Sequence, residues 1–127
     1  MKSQNIALIP FTTYGVPSGN YNGSSLTFTS DRQKASNYYR RSANSQTLRF
    51  TTDDFPGEIV IQASLDTDPT ADSDWFDVYT FPGDSATDGS TAITTDYATG
   101  VTGRFAWIRA VVLGFTDGTI IQVTMSY

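Results

Sequence analysis

Hydrophobic and polar residues alternate with a period of two along most of this chain, which is the signature of strands with one dry face. The clearest run in the middle is Glu58-Ile-Val-Ile-Gln-Ala-Ser-Leu65, where Ile59, Ile61, Ala63 and Leu65 fall on one side. Near the end, Ile121, Val123, Met125 and Tyr127 oppose Gln122, Thr124 and Ser126. Between these runs, from Arg104 to Leu113, lies the most apolar stretch of the chain. Ala106, Ile108, Ala110 and Val112 share one side, Phe105, Trp107, Val111 and Leu113 the other, and Arg109 stands among the aromatics. A strand apolar on both faces belongs at the centre of a sheet, or meets another chain with its outer face. The turn residues Gly114 to Gly118 then predict a hairpin joining Arg104–Leu113 to Thr119–Tyr127.

The same reading predicts a first strand over Asn5–Tyr14, with Pro10 marking an edge or a bulge. Further short strands are expected at Leu26–Thr29, Gln46–Thr51 (Leu48 and Phe50 inward), Trp75–Phe81 and Ala92–Tyr97. Turns are expected at Gly15–Gly23, Asp53–Gly57 and Thr99–Gly103, and Pro82–Thr91 reads as a polar linker. Residues 30–45 show no clean period, beyond a short strand near Asn37–Arg41. The total is about eight short strands and no amphipathic helix. This predicts one all-β domain over residues 1–127, an antiparallel two-sheet β-sandwich of jelly-roll type.

Composition removes several chemistries. The 127 residues include no histidine and no cysteine, which excludes disulfides, thiolate zinc sites and every Ser-His-Asp or Cys-His arrangement. The acids fall mainly in expected loops, and no two are marked as a glycosidase-like pair. The expectation is a protein that is not an enzyme and needs no cofactor. Ile6–Pro10 is too short for a signal-peptide core or a membrane span, so synthesis in a cytoplasm and no membrane partner are expected.

The net charge of -5 conceals a segregation: residues 1–52 balance at +5 and residues 53–127 at -10. One copy's basic region can thus meet another copy's acidic region, unless folding interleaves the two halves. Residues 30–45 carry four of the eight basic side chains, Arg32, Lys34, Arg40 and Arg41. Tyr38, Tyr39, Arg40 and Arg41 are candidate contacts to a neighbouring subunit, as are Phe105, Trp107 and Arg109. Interleaved Tyr and Arg also suit stacking on bases, but a sequence pI of about 4.3 repels nucleic acid overall, so no nucleic-acid partner is expected.

Two other constellations hold chemistry. Asp66, Asp68, Asp72 and Asp74 are spaced closely enough to interest Ca²⁺. Ala71 replaces the glycine an EF-hand needs, however, and Asp77 stands where a bidentate Glu belongs, so a solvated acidic turn is the default and no metal is expected. Trp75, Tyr79, Trp107 and Arg109 could form an aromatic platform for a sugar, against the plainer reading of packing residues.

The run Phe55-Pro-Gly-Glu-Ile-Val-Ile-Gln-Ala-Ser-Leu65, with Pro69, Asp74-Trp-Phe-Asp-Val78, Gly103-Arg-Phe-Ala-Trp-Ile-Arg-Ala110 and Phe115-Thr-Asp-Gly-Thr-Ile120, resembles small virion structural proteins of large tailed bacteriophages, including those of cyanobacteria. The resemblance covers about residues 48–127; Met1–Gln46 has no counterpart. It implies a β-domain repeated on a particle as a tail, baseplate, neck, fibre or head-decoration component. The implied partners are copies of itself and other virion proteins, and the implied location is the virion. The competing class is a carbohydrate-binding or adhesin module, with a host-surface glycan as partner.

Overall fold

The computed structural model describes residues 5–35, 45–66, 68–81, 93–103 and 105–126. Ten strands follow in order: β1 (Asn5–Ile9), β2 (Thr12–Thr13), β3 (Phe28–Thr29), β4 (Gln33–Lys34), β5 (Ser45–Phe55), β6 (Glu58–Ser64), β7 (Phe76–Phe81), β8 (Ile93–Thr102), β9 (Trp107–Leu113) and β10 (Thr119–Ser126). A 3₁₀ turn, Asp72–Asp74, precedes β7. One sheet runs β1-β10-β5-β8, with β2 also on β10; the other runs β3-β9-β6-β7, with β4 also on β9. Every pairing is antiparallel.

β1 and β2 are one strand interrupted at Pro10, whose missing N–H cannot join a ladder, and β3 and β4 are likewise two pieces of one. Counted so, eight strands run 1-8-3-6 in the first sheet and 2-7-4-5 in the second. Pairs 1·8, 2·7, 3·6 and 4·5 are those of a long hairpin rolled onto itself, the jelly-roll arrangement. The fold is therefore the β-sandwich expected from the alternation.

The terminal hairpin is not formed. β9 pairs with β3, β4 and β6, whereas β10 pairs with β1, β2 and β5, so Gly114–Gly118 carries the chain from one sheet to the other. Phe115, inside that loop, is fully buried and touches the rings of Tyr14, Tyr21, Phe28 and Phe55. A buried aromatic in the connection pulls the two arms apart to opposite layers. The expected turn at Asp53–Gly57 is the neighbouring crossing: β5 continues to Phe55, and β6 begins at Glu58 in the other sheet.

Bulges decide which side chains face inward. In β5, Gln46, Leu48, Phe50 and Thr52 face the core; the register then slips before Phe55, and Asp54 adopts a φ of 57°. That slip restores Phe55 to the interior. In β10 the irregularity between Ile120 and Gln122 buries Ile120 and leaves Ile121 exposed, reversing the expectation for Ile121, while Val123 and Met125 face inward as expected. Leu65 lies beyond the end of β6 and is 65% exposed. Leu26, expected in a strand, precedes β3 and is exposed as well. The expected strand Ala92–Tyr97 and turn Thr99–Gly103 are in fact one long strand, β8.

Phe50 of the first sheet stacks on Phe81 and Tyr79 of the second at 4.7 and 5.6 Å between ring centres. Together with Ile59, Ile61, Ile108, Val112 and Met125 these fill the space between the sheets.

Candidate interaction face

The outer face of the second sheet is built on β9. Ile108, Ala110 and Val112 point into the core, so Trp107, Arg109, Val111 and Leu113 project outward, each half-buried. β6 lies directly beside them, in register Glu58↔Leu113, Val60↔Val111, Gln62↔Arg109 and Ser64↔Trp107. Cross-strand neighbours on one face are close enough for side chains to touch. A row of aromatic and aliphatic groups thus crosses a surface that would be polar in an isolated sandwich.

Two arginine–tryptophan stacks anchor this face. The Arg109 guanidinium lies 4.4 Å from the Trp75 ring centre, and its Nε donates to Gln62 Oε1 at 2.8 Å. Gln62 in turn donates from Nε2 to Asp77 Oδ1 on β7. Arg32, just before β4, lies 4.4 Å from the Trp107 ring centre. It donates from Nη1 to the Pro69 carbonyl and from Nη2 to Asp68 Oδ1, both at 3.0 Å. A planar guanidinium stacks on an indole while its edge still reaches hydrogen-bond acceptors. Each indole therefore has one face covered from within the chain.

These contacts locate the sequence candidates. Trp75, Trp107 and Arg109 come together on the outer face. Tyr79 does not: it pairs with Ile61, packs on Phe50 and faces the core, so a platform of Trp75, Tyr79, Trp107 and Arg109 does not form. Phe105 also leaves the face. β9 begins only at Trp107, so the alternation does not extend back to Phe105, which is buried with its ring against Gly103 and its edge near Phe76. Tyr38, Tyr39, Arg40 and Arg41, the strand near Asn37–Arg41 and the linker Pro82–Thr91 lie outside the described residues. Arg32 was not among the sequence candidates, and nothing local marks it, since its partners are some 36 and 75 positions away.

The acidic loop folds on itself. Asp74 Oδ2 accepts the backbone N–H groups of Thr70 and Ala71, each at 3.0 Å, and these bonds hold its carboxyl below the usual range. The charge of Asp74 pushes the neighbouring Asp66 carboxyl up. Asp68 is turned to Arg32, and Asp72 opens the 3₁₀ turn. Among the described residues no three acidic groups gather as a metal site would require, so Asp66, Asp68 and Asp74 do not assemble the calcium arrangement weighed from the sequence; the side chain of its fourth member, Asp72, lies outside the described residues.

The charge segregation is resolved inside the chain at two points. Arg32–Asp68 and Arg49–Asp96 each join the basic first part to the acidic remainder, which is the interleaving alternative. Arg49 and Asp96 pair in fork geometry, Nε to Oδ1 and Nη2 to Oδ2, at 2.8 and 2.6 Å. This pairing lowers the Asp96 carboxyl.

A separate cleft of about 260 Å³ opens along the edge of β1, between Ala7–Pro10, Ser18–Asn20 and Ser30–Gln33. Within it, Asn20 Nδ2 donates to the Thr29 carbonyl and to Asp31 Oδ1. Among the described residues no helix is long and apolar enough to cross a membrane.

The fold and this face define a two-sheet jelly-roll sandwich with an arginine–tryptophan face on its second sheet. Compared with known protein families, curated proteins and solved structures, the chain matches none.

Proposed function

We propose that this chain is a non-enzymatic structural subunit of a tailed-phage virion, made in the host cytoplasm and assembled with copies of itself and other virion proteins through surfaces of the sandwich. The observation that carries the reading is the outer face of β9. Trp107, Val111 and Leu113 stay half-exposed on a central strand whose opposite side is already fully committed to the core. Apolar surface of this kind marks contact with another protein. Exposed Tyr14, Val16 and Leu26 near the Gly114–Gly118 crossing add to it.

The resemblance over residues 48–127 supplies the particle, and the jelly roll agrees with it, because capsid domains use this architecture; lectin domains do too, so the fold alone assigns no role. What favours assembly over sugar binding is that Tyr79 is turned inward and that one face of each indole is occupied by an arginine. The test is mass spectrometry of particles purified from the virus that encodes the chain, beside a virus carrying Val111→Glu. Many copies of the wild-type chain per particle, and loss of the folded variant from particles, are expected. Particles that assemble without any of the chain would overturn the reading.

A further inference from the structure

The four sheet edges differ sharply in how they are protected. β1 has five residues, an irregular register between Ala7 and Ile9, and Pro10 at its end. β3 and β4 have two residues each. β7 has six, an irregularity opposite Ile61 and Gln62, and Asp77 beside it. Short strands, bulges, proline and charge are the usual means of blocking edge-to-edge pairing.

Among the described residues β8 is the least guarded of the four: its ladder with β5 slips only near its start, between Ile93 and Thr95, and it carries a single charged residue. It is ten residues long, and its ladder with β5 runs unbroken through eight successive pairs, Ser45↔Thr102 to Thr52↔Thr95. Its sequence, Ile-Thr-Thr-Asp-Tyr-Ala-Thr-Gly-Val-Thr, holds no proline and no lysine. The one charged residue, Asp96, is neutralised by Arg49 of the same chain. Among the described residues β8 pairs with β5 alone. Tyr97 lies beside Phe81 of β7, 6.4 Å between ring centres, and remains 44% exposed.

From this contrast we infer that β8 pairs edge to edge with β8 of a second copy of this chain, antiparallel about a two-fold axis, making one continuous sheet across a homodimer. A second copy is the fitting occupant. Antiparallel pairing of a strand with itself is isologous and closes, leaving no β8 edge free. It also brings together two edges rich in β-branched residues whose one charge, Asp96, is already paired within its own chain. Residues on equivalent faces meet, so each Tyr97 is covered at the junction. The inference stands on the strand edges and not on the virion reading.

The test uses the full chain and the double variant Ala98→Lys, Gly100→Lys. Both positions are exposed, and at Gly100 an added Cβ would meet only the Gln46 carbonyl oxygen at 4.0 Å, so the variant folds; circular dichroism verifies this. Sedimentation velocity across a dilution series should show a wild-type dimer, and a dissociation constant raised at least about tenfold in the variant. Hydrogen exchange should show the Ile93–Thr102 amides slowing as wild-type concentration rises, and no such change in the variant. A wild type that is monomeric throughout would overturn the inference. So would a dimer that ignores the lysines or leaves the β8 amides unchanged; that outcome places self-association on another surface and leaves the virion reading standing.

Discussion

Arg109 and Trp75, 34 positions apart, form a stacked pair on the outer face of the second sheet, with the guanidinium 4.4 Å from the ring centre. Gln62 fixes the guanidinium from the side by accepting its Nε–H. Arg109→Ala should therefore lower stability by about 1 kcal/mol and leave the indole more hydrated. Urea unfolding and a red shift in tryptophan emission check this. Arg109→Lys should recover only part of the loss, because an ammonium cannot stack flat while bonding Gln62.

Two glycines lock the sheet crossings together. A Cβ on Gly57 would collide with the carbonyl groups of Leu113 and Gly114, and one on Gly118, which also has a φ of 80°, would collide with the carbonyls of Asp53 and Asp54. Gly57→Ala and Gly118→Ala should each cost on the order of 3 kcal/mol, since backbone rather than a flexible side chain must move. Gly15→Ala is the control: its φ is 89° but the space around it is open, so about 1–2 kcal/mol is expected from conformation alone. Urea midpoints should rank the three accordingly.

Ser30 bridges the gap between β3 and β4. Its N–H donates to the Ala110 carbonyl at 2.8 Å, and its Oγ accepts the Ala110 N–H at 2.9 Å. A side chain thus supplies the ladder bond that the interrupted backbone does not. Ser30→Ala should leave the buried Ala110 N–H unsatisfied and cost about 1–3 kcal/mol. Hydrogen exchange should show the Ala110 amide losing protection.

Stability should respond to acid in two stages of opposite sign. Asp66 is raised, first by the charge of Asp74, so the native chain takes up this proton more readily than the unfolded one, and its repulsion is relieved as pH falls through the raised value. Asp74 and Asp96 are lowered, by the Ala71 and Thr70 amides and by Arg49 respectively. Their contributions are complete above the ordinary carboxylate value of about 3.9 and disappear as pH falls through the lowered values. Melting temperature should therefore hold or rise slightly on approaching that value from above, then fall below it. In Asp96→Asn the fall should be shallower. Asp66 and Asp96 are exposed and Asp74 is only half-buried, so the effects are small.

Much of the sandwich is legible in the sequence, because a half-buried strand must alternate and this chain alternates in most segments. Leu48 and Phe50, and Ile59, Ile61 and Ala63, face the core from the side the pattern indicates, while in the strand apolar on both sides the structure turns Ile108, Ala110 and Val112 inward. The face of Trp107 and Arg109 is legible for the same reason. Where the pattern misleads, a local slip or a strand end is responsible: the irregular register in β10 turns Ile121 outward, and Leu65 and Phe105 lie past the ends of their strands. Arg32 had no signal, since its role rests on Trp107, Asp68 and Pro69, which reach it only through the second sheet and the acidic loop.

By itself the sequence determined that the chain is all-β, that its layers are half-dry, and that histidine and cysteine chemistry is absent, since composition and period two depend on no distant contact. Only the tertiary structure decided that Thr119–Ser126 leaves its neighbour for the opposite sheet, that Tyr79 turns inward, and that β8 is the last strand of the first sheet among the described residues. Strand order is set by which faces can be buried together. A glycine-rich turn is as compatible with a sheet crossing as with a hairpin, and the buried ring of Phe115 selects the crossing.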